Sequence, residues 1–403
     1  MPNNLKVHQI IAREAAALLE ESAPFLTQIN RDREADLAKD IGGYKTGQTV
    51  TITVPRSGKV YDGATFAGGG AAEDVIEDTV PLTLDIHKHA GVTFSAKEIL
   101  TDVTDWRERV LRPQISTLAA SLEAEFIKRA VAATPHLVGT PGTVPNSMKV
   151  FSQARQKLQQ ALAPVDPRTV LFSSEANVEM VDSSKALFNP TPEIAKMYRE
   201  GMVSGKAQGA TWFECVNLPV LANGNKVSGV TVSGASQSGS SLVVGGLVAG
   251  DTFLKGQVFT IAGVFDVHPL TGESYGSLKQ FVVTADVTAS GATATLPIYP
   301  ALKATTPAKT VSALPANAAA LTFAGAASTG YVNNLMFHRD AFTAAFKPLK
   351  VVAGAEGYTY SANGITLTVQ TFGNGTNLTE STRIDVLGGF AAVRGIHAAR
   401  VIQ

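Results

Sequence analysis

Residues 102–131 read DVTDWRERVLRPQISTLAASLEAEFIKRAV, with Leu111, Ile115, Leu118, Leu122 and Phe126 on one helical stripe and Arg107, Glu108, Arg109, Glu123 and Lys128 off it. The spacing predicts a helix over 105–133, roughly 40 Å long at a rise of 1.5 Å per residue. Pro113 falls in its first turns, where a missing N–H and a ring clash should bend the axis or restart the helix. Charges interleaved by sign along its outer side suit a solvated face better than a phosphate track.

Upstream, Val7, Ile10, Ile11, Leu18 and Leu19 recur at helical spacing and predict a short amphipathic helix ended by Pro24. Charges crowd positions 31–40, and Gly42 and Gly43 release the chain into extended structure. Alternation at Val50, Ile52 and Val54, and again at Val80, Leu82, Leu84 and Ile86, predicts two half-buried strands. Between them lies an excursion tipped by Gly68, Gly69 and Gly70, too small to bury itself, so the arm over 46–95 should project and pack on something else.

Downstream, Phe151, Ala154, Leu158 and Leu162 mark a helix over 147–162, stopped by Pro164. Short strands at 169–173 and 211–216 then alternate with helices at 175–182 and 192–200, an α+β pattern. The composition changes at Asn223. From there to Ser328 only nine residues are charged, and no Arg occurs between Arg199 and Arg339. Runs such as GVTVSG, QVFTIAGVFDV, KQFVVTADV and ATATLPIYP predict an inserted all-β barrel or sandwich with Val230, Val232, Val258, Ile261, Val264, Phe281, Val283 and Ile298 in its core. The mixed pattern returns with 332–339, a helix around 340–346, a strand near 365–369 and a last pair, RIDVL and AAVRGIHAARVI.

The 403 residues are 45% hydrophobic, enough for two or three domains. Lys plus Arg and Asp plus Glu both number 34, so no net positive field gathers nucleic acid or anionic lipid. Charged residues at 17% and 36 glycines point to a turn-rich chain with a weakly charged surface, of the kind that goes to partners. Cys215, the single cysteine, has no disulfide or zinc companion and reads as a buried apolar filler. Arg13, Glu14, Glu20 and Glu21 interrupt the N-terminal apolar run, and the sequence predicts neither an export signal nor a membrane span. Sequons at Asn374 and Asn377 are then turn residues.

Catalytic patterns are sparse. Gly272-Glu-Ser274-Tyr-Gly276 fits a nucleophile elbow, which needs a strand before the serine and a helix after it, but LKQFVVTADV follows and predicts a hairpin turn. His87 and His89 share a strand face and could hold one edge of a metal site, yet no third ligand is suitably spaced and they read as solvated. Phosphate-loop, dinucleotide, HExxH and paired-cysteine motifs are absent, and Gly68–Gly70 and Gly245-Gly246 are loop tips without a helix behind them. The sequence therefore predicts no cofactor, no metal and no enzymatic activity.

The order of parts, with NLPVLANGNKVSGVTVSGA at 217–235, KGQVFTIAGVF at 255–265, ATLPIYPAL at 294–302 and NNLMFHRDAF at 333–342, resembles the major coat protein of tailed double-stranded DNA bacteriophages. The likeness is to the Salmonella-podovirus type, which carries an extra barrel domain, and it spans most of the chain. It implies an α+β tailed-phage capsid fold: N-terminal arm (1–45), extended loop over a neighbouring subunit (46–95), peripheral domain with spine helix (96–145), axial domain (146–222), inserted β-barrel (223–328) and a return to the axial and peripheral domains (329–403). The segment around 266–280 is short for the long inter-capsomer loop of relatives. Implied partners are other copies in pentamers and hexamers of an icosahedral shell, a scaffolding protein, a portal at one vertex and packaged double-stranded DNA held by weak non-specific contacts, with no membrane. Gly68, Gly69, Gly70, Arg107 and Arg109 are the subunit-interface candidates, and the expected location is the virion, assembled in the host cytoplasm. The competing readings are a cellular nanocompartment shell of the same fold, a serine hydrolase through Ser274, and a β-rich adhesin that would need export.

Overall fold

The computed structural model describes residues 12–13, 15–17, 23–32, 40–41, 44–45, 49–54, 78–95, 112–183, 206–305, 309–362 and 365–403. They fall into two compact units, one formed by 1–52, 80–127 and 342–393, the other by 53–79, 128–341 and 394–403.

The first unit is organised around the 14-residue strand Thr379–Ala392. Its first half pairs antiparallel with Ile86–Ser95 and with Ile365–Asn374, which in turn pairs with Glu356–Ala362. Its end, Gly388 to Ala392, pairs with Phe342–Phe346. Phe126 of the long helix, Arg112–Ala132, inserts its ring 5.8 Å from that of Phe346 and 5.6 Å from that of Phe390. Burying one such side chain contributes about 2 to 3 kcal/mol. Gly388 leaves space for this packing: a Cβ there would stand 3.0 Å from the Phe346 ring and 3.4 Å from that of Phe126.

Several expectations change here. The Val80 to Ile86 alternation is two strands: Asp78–Thr83 pairs with Thr49–Val54, whereas Ile86–Ser95, expected in the projecting arm, joins the five-stranded sheet. The helix expected at 340–346 is a 3-10 turn, Arg339–Ala341, followed by the strand Phe342–Phe346. All five strand residues are buried, so both faces are apolar and the period-2 signal is lost. Pro24 starts a helix, Pro24–Gln28, because a first-turn position needs no N–H from it. Glu123, expected on the solvated side of the long helix, is 1% exposed and accepts a hydrogen bond from the Phe25 N–H at 2.9 Å. Pro113 is the second residue of the described helix; the turns before it lie outside the described residues, as does the segment expected as a helix at 192–200.

The second unit holds a seven-stranded mixed sheet in the order His136–Val138, Ala398–Ile402, Gly330–His338, Arg168–Phe172, Ala210–Glu214, Lys206–Ala207, with Val220–Ala222 paired to the start of Gly330–His338. The helix Met148–Gln160, capped by Ser147 through the Lys149 N–H, lays Phe151, Ala154 and Leu158 into the same apolar cluster as Val170, Phe172, Trp212 and Met336.

A second, six-stranded antiparallel sheet runs Thr231–Val232, Gly239–Gly245, Thr293–Leu302, Ser274–Val283, Val258–Val267, Leu321–Phe323. It closes on itself, since Val232 donates to the Ala319 carbonyl and Leu321 to that of Val230. Closure removes the free edges, and the interior fills with Val232, Leu242, Phe253, Phe259, Ile261, Phe281 and Ile298. All eight residues expected in this core are buried. The chain enters and leaves the barrel on one ribbon, with Leu221 paired to Tyr331 and Ala222 to Gly330.

Candidate functional site

The base of the barrel, where it meets the seven-stranded sheet, concentrates the buried polar chemistry of the second unit. Asn223 donates through Nδ2 to the Ala324 and Ala326 carbonyls at 2.8 and 3.1 Å, clasping the two legs of the ribbon. The Gln280 amide accepts from the Leu137 N–H at 3.0 Å and donates to the Leu137 carbonyl at 2.7 Å. That side chain acts as one more rung on the edge strand His136–Val138, which would otherwise present unpaired groups. Tyr275 donates to the Gln160 carbonyl at 3.2 Å. Gly256 has φ +93°, and a Cβ there would meet Leu221 Cδ1 at 3.0 Å and Ala132 Cα at 3.2 Å, so the approach of the barrel requires glycine on two counts.

Arg400, 2% exposed in the strand Ala398–Ile402, donates through Nη1 to the Gly256 carbonyl at 2.8 Å. Burial pulls its pKa down to about 9, which still leaves it charged at neutral pH. Arg168, equally buried, donates to the Pro164 and Ala163 carbonyls at 2.7 and 2.6 Å beyond the end of the Met148–Gln160 helix. His136, His338 and His397 are buried in the same sheet region, and burial holds all three below the ordinary imidazole pKa, His397 at about 4. Lys279 and Asp266 form a buried ion pair at 2.7 Å on the barrel wall. In the first unit, Asp385 is 2% exposed and accepts from His87 Nε2 at 2.8 Å, from Arg383 Nη2 at 2.7 Å and from Gln370 Nε2 at 3.2 Å. Burial works to raise its pKa, but these hydrogen bonds hold the carboxyl below the usual carboxylate range.

The interface candidates Gly68, Gly69, Gly70, Arg107 and Arg109 lie outside the described residues. Ser274 opens a strand, Ser274–Val283, as its hairpin reading requires, and its hydroxyl accepts from the Gly276 N–H. His87 and His89 are exposed, as their solvated reading expects, and His87 also hydrogen-bonds the buried Asp385 carboxylate; its ring stands 6.3 Å from that of His89. Among the described residues no group of three or more His, Cys, Asp or Glu is placed to hold a metal. Cys215 is buried, and Asn377 sits in the turn after Ile365–Asn374. Sequence reasoning missed Gln280, Arg400 and Glu123. Of these only Arg400 carried a signal, a lone charge inside the otherwise apolar AARVI.

A long helix packed on an antiparallel sheet, and a mixed sheet interrupted by a closed barrel, give a strand-rich α+β fold, the HK97-like fold of tailed-phage capsid proteins. The sequence matches the family described as P22 coat protein, gene protein 5, over residues 2–398, and the chain belongs to that family. It is a structural subunit of an icosahedral capsid and so a component of the virion. Among solved structures, a chain from Mycobacterium phage Che8 is similar at 12% identity and a TM-score of 0.52, over 94% of this chain and 90% of that one. A chain of the bacteriophage PhiM1 mature capsid aligns at 12% identity and a TM-score of 0.43, covering 88% and 82% of the two chains. One from the capsid of cyanophage P-SCSP1u aligns at 11% and 0.44, covering 88% and 83%. No curated protein sequence matches.

Proposed function

We propose that this chain forms the pentamers and hexamers of a shell assembled in the bacterial cytoplasm around a scaffolding protein, with a portal at one vertex, and that it has no catalytic role. The match across nearly the whole chain to a coat-protein family carries this reading. The balance of 34 basic and 34 acidic residues supports weak, non-specific contact with packaged double-stranded DNA, since few uncompensated cations are on hand to condense it. In this scheme 1–45 is an arm, 46–95 the extended-loop segment, laid over a neighbour as far as its last strand, Ile86–Ser95, which stays in the subunit's own sheet, 96–145 the peripheral domain, 146–222 the axial domain, 223–328 the inserted barrel and 329–403 the return, with Arg107 and Arg109 at subunit contacts.

Gly68, Gly69 and Gly70 let one sequence adopt the several loop conformations that five-fold and six-fold surroundings demand. Co-expression with the scaffolding protein should give closed shells in negative stain, and a strictly monomeric product under all such conditions would overturn the proposal. Replacing the three glycines by valine should leave thermal unfolding of the free subunit nearly unchanged while producing aberrant shells or none.

A further inference from the structure

Asparagine followed by glycine occurs three times, at Asn223-Gly224, Asn363-Gly364 and Asn374-Gly375. In such a pair the glycine has no side chain to keep its nitrogen from the asparagine amide carbon. The middle pair lies outside the described residues, and the fold treats the other two in opposite ways. Asn223 is buried and its Nδ2 is committed to the Ala324 and Ala326 carbonyls. The Gly224 N–H is buried as well and donates to Gln257 Oε1 at 3.3 Å, while the Thr252 carbonyl closes over the Gly224 Cα. Asn374 and Gly375 are instead exposed, at the tip of the hairpin whose last ladder pair is Asn374 with Thr379 and whose turn is 375–378. There the Thr376 N–H donates to Asn374 Oδ1 at 3.0 Å. The ring closed by this bond contains both the Asn374 amide carbon and the Gly375 nitrogen, and its donor rests on the oxygen that gains charge when that carbon is attacked. Gly375 has no left-handed φ, and a Cβ there would meet nothing within 4 Å, so the turn itself does not require glycine.

We propose that Asn374 is a site of spontaneous covalent modification, converting to aspartate and isoaspartate in the folded chain while Asn223 stays intact. Hydroxide removes the Gly375 amide proton, and the nitrogen forms a bond to Asn374 Cγ. The Cγ–Nδ2 bond breaks, the departing nitrogen takes a proton from water, and ammonia leaves behind a five-membered succinimide. A second water opens that ring, at Cγ to give aspartate or at the main-chain carbonyl carbon to give isoaspartate. No oxidant or reductant is needed. Either product adds a carboxylate beside the ladder pair of Gly373 with Glu380, and isoaspartate also lengthens the main chain by a methylene where Asn374 pairs with Thr379. The hairpin tip of the first unit therefore changes charge and register with age, whereas the ribbon that enters the barrel does not.

The test ages the purified full-length chain at neutral and mildly alkaline pH and maps its peptides by fragmentation in a mass spectrometer. A gain of about 1 Da should accumulate at Asn374, faster at the higher pH and with isoaspartate among the products, while Asn223 keeps its mass. In denaturant the two sites should convert at similar rates, because only the fold tells them apart. Gly375→Ala, which the turn accommodates, should slow conversion at Asn374 severalfold with the circular dichroism spectrum unchanged. The wild-type readings need no variant. An Asn374 that keeps its mass, aspartate without isoaspartate, equal conversion of both sites in the folded chain, or a difference that persists in denaturant would each overturn the proposal, whether or not the chain builds shells.

Discussion

The barrel interior is lined by aliphatic and phenylalanine side chains such as Val232, Leu242, Phe259, Phe281 and Ile298, whereas the mixed sheet that it interrupts buries Arg168, Arg400, His136, His338 and His397. Topology accounts for the difference. A closed antiparallel sheet satisfies its backbone groups within itself and can keep its interior dry. An open mixed sheet that receives a guest domain leaves carbonyls at joints, here those of Ala163, Pro164 and Gly256, and long cationic side chains reach in to meet them. Around this mixed sheet the buried arginines therefore mark backbone carbonyls that no strand partner meets.

The sharpest way to break that contrast is to open the dry core. Phe259→Ala, at a ring packed 5.8 Å from Phe281 and 5.3 Å from Phe323, should cost about 3 to 5 kcal/mol in denaturant unfolding. A cost under about 1 kcal/mol would mean that the barrel interior is loosely packed after all. Acid should act on the other region. His397 has its folded pKa depressed to about 4 by burial, so between the unfolded value near 6.5 and 4 the unfolded chain binds a proton that the folded one refuses. That contribution is fully present above pH 6.5 and falls by about 3 kcal/mol as pH drops to 4. Protection factors, which remove the intrinsic slowing of amide exchange in acid, should fall more for Ala398–Ile402 than for the barrel strand Val258–Val267 on going from pH 7 to pH 5, and equal changes would contradict the contrast.

Smaller effects probe the joints. Gln280→Leu keeps the bulk but strips both hydrogen bonds from Leu137, and should lower stability by about 2 kcal/mol while the barrel's own amides stay protected. Loss of barrel protection instead would show that the barrel depends on this contact. In the first unit, Asp385→Asn keeps the shape but weakens the charge-assisted bonds from His87 and Arg383, with an expected cost of about 1 kcal/mol by urea titration. A loss of 3 kcal/mol or more would place this network among the main supports of its sheet.

Wherever one face of an element meets the core and the other meets solvent, hydrophobic period alone located it. The Met148–Gln160 helix and the barrel core from Val230 to Ile298 were legible in this way, and the composition break at Asn223 sits on the ribbon that enters the barrel. The order of these parts was enough to identify the capsid family. What only the tertiary structure decided is pairing and burial over long sequence separations. Phe342–Phe346 is a strand because Gly388 to Ala392 lies beside it and both its faces are covered, so its FTAAF sequence has no period to read. Ile86–Ser95 leaves the arm for the sheet because Thr379–Gly388 offers it a partner nearly three hundred positions on. Glu123 and Arg400 look solvent-bound by residue type, yet each is buried by a backbone group that needs it, the Phe25 N–H and the Gly256 carbonyl. A residue's own chemistry states what partner it can satisfy, but which backbone group arrives to be satisfied is set by how distant segments pack.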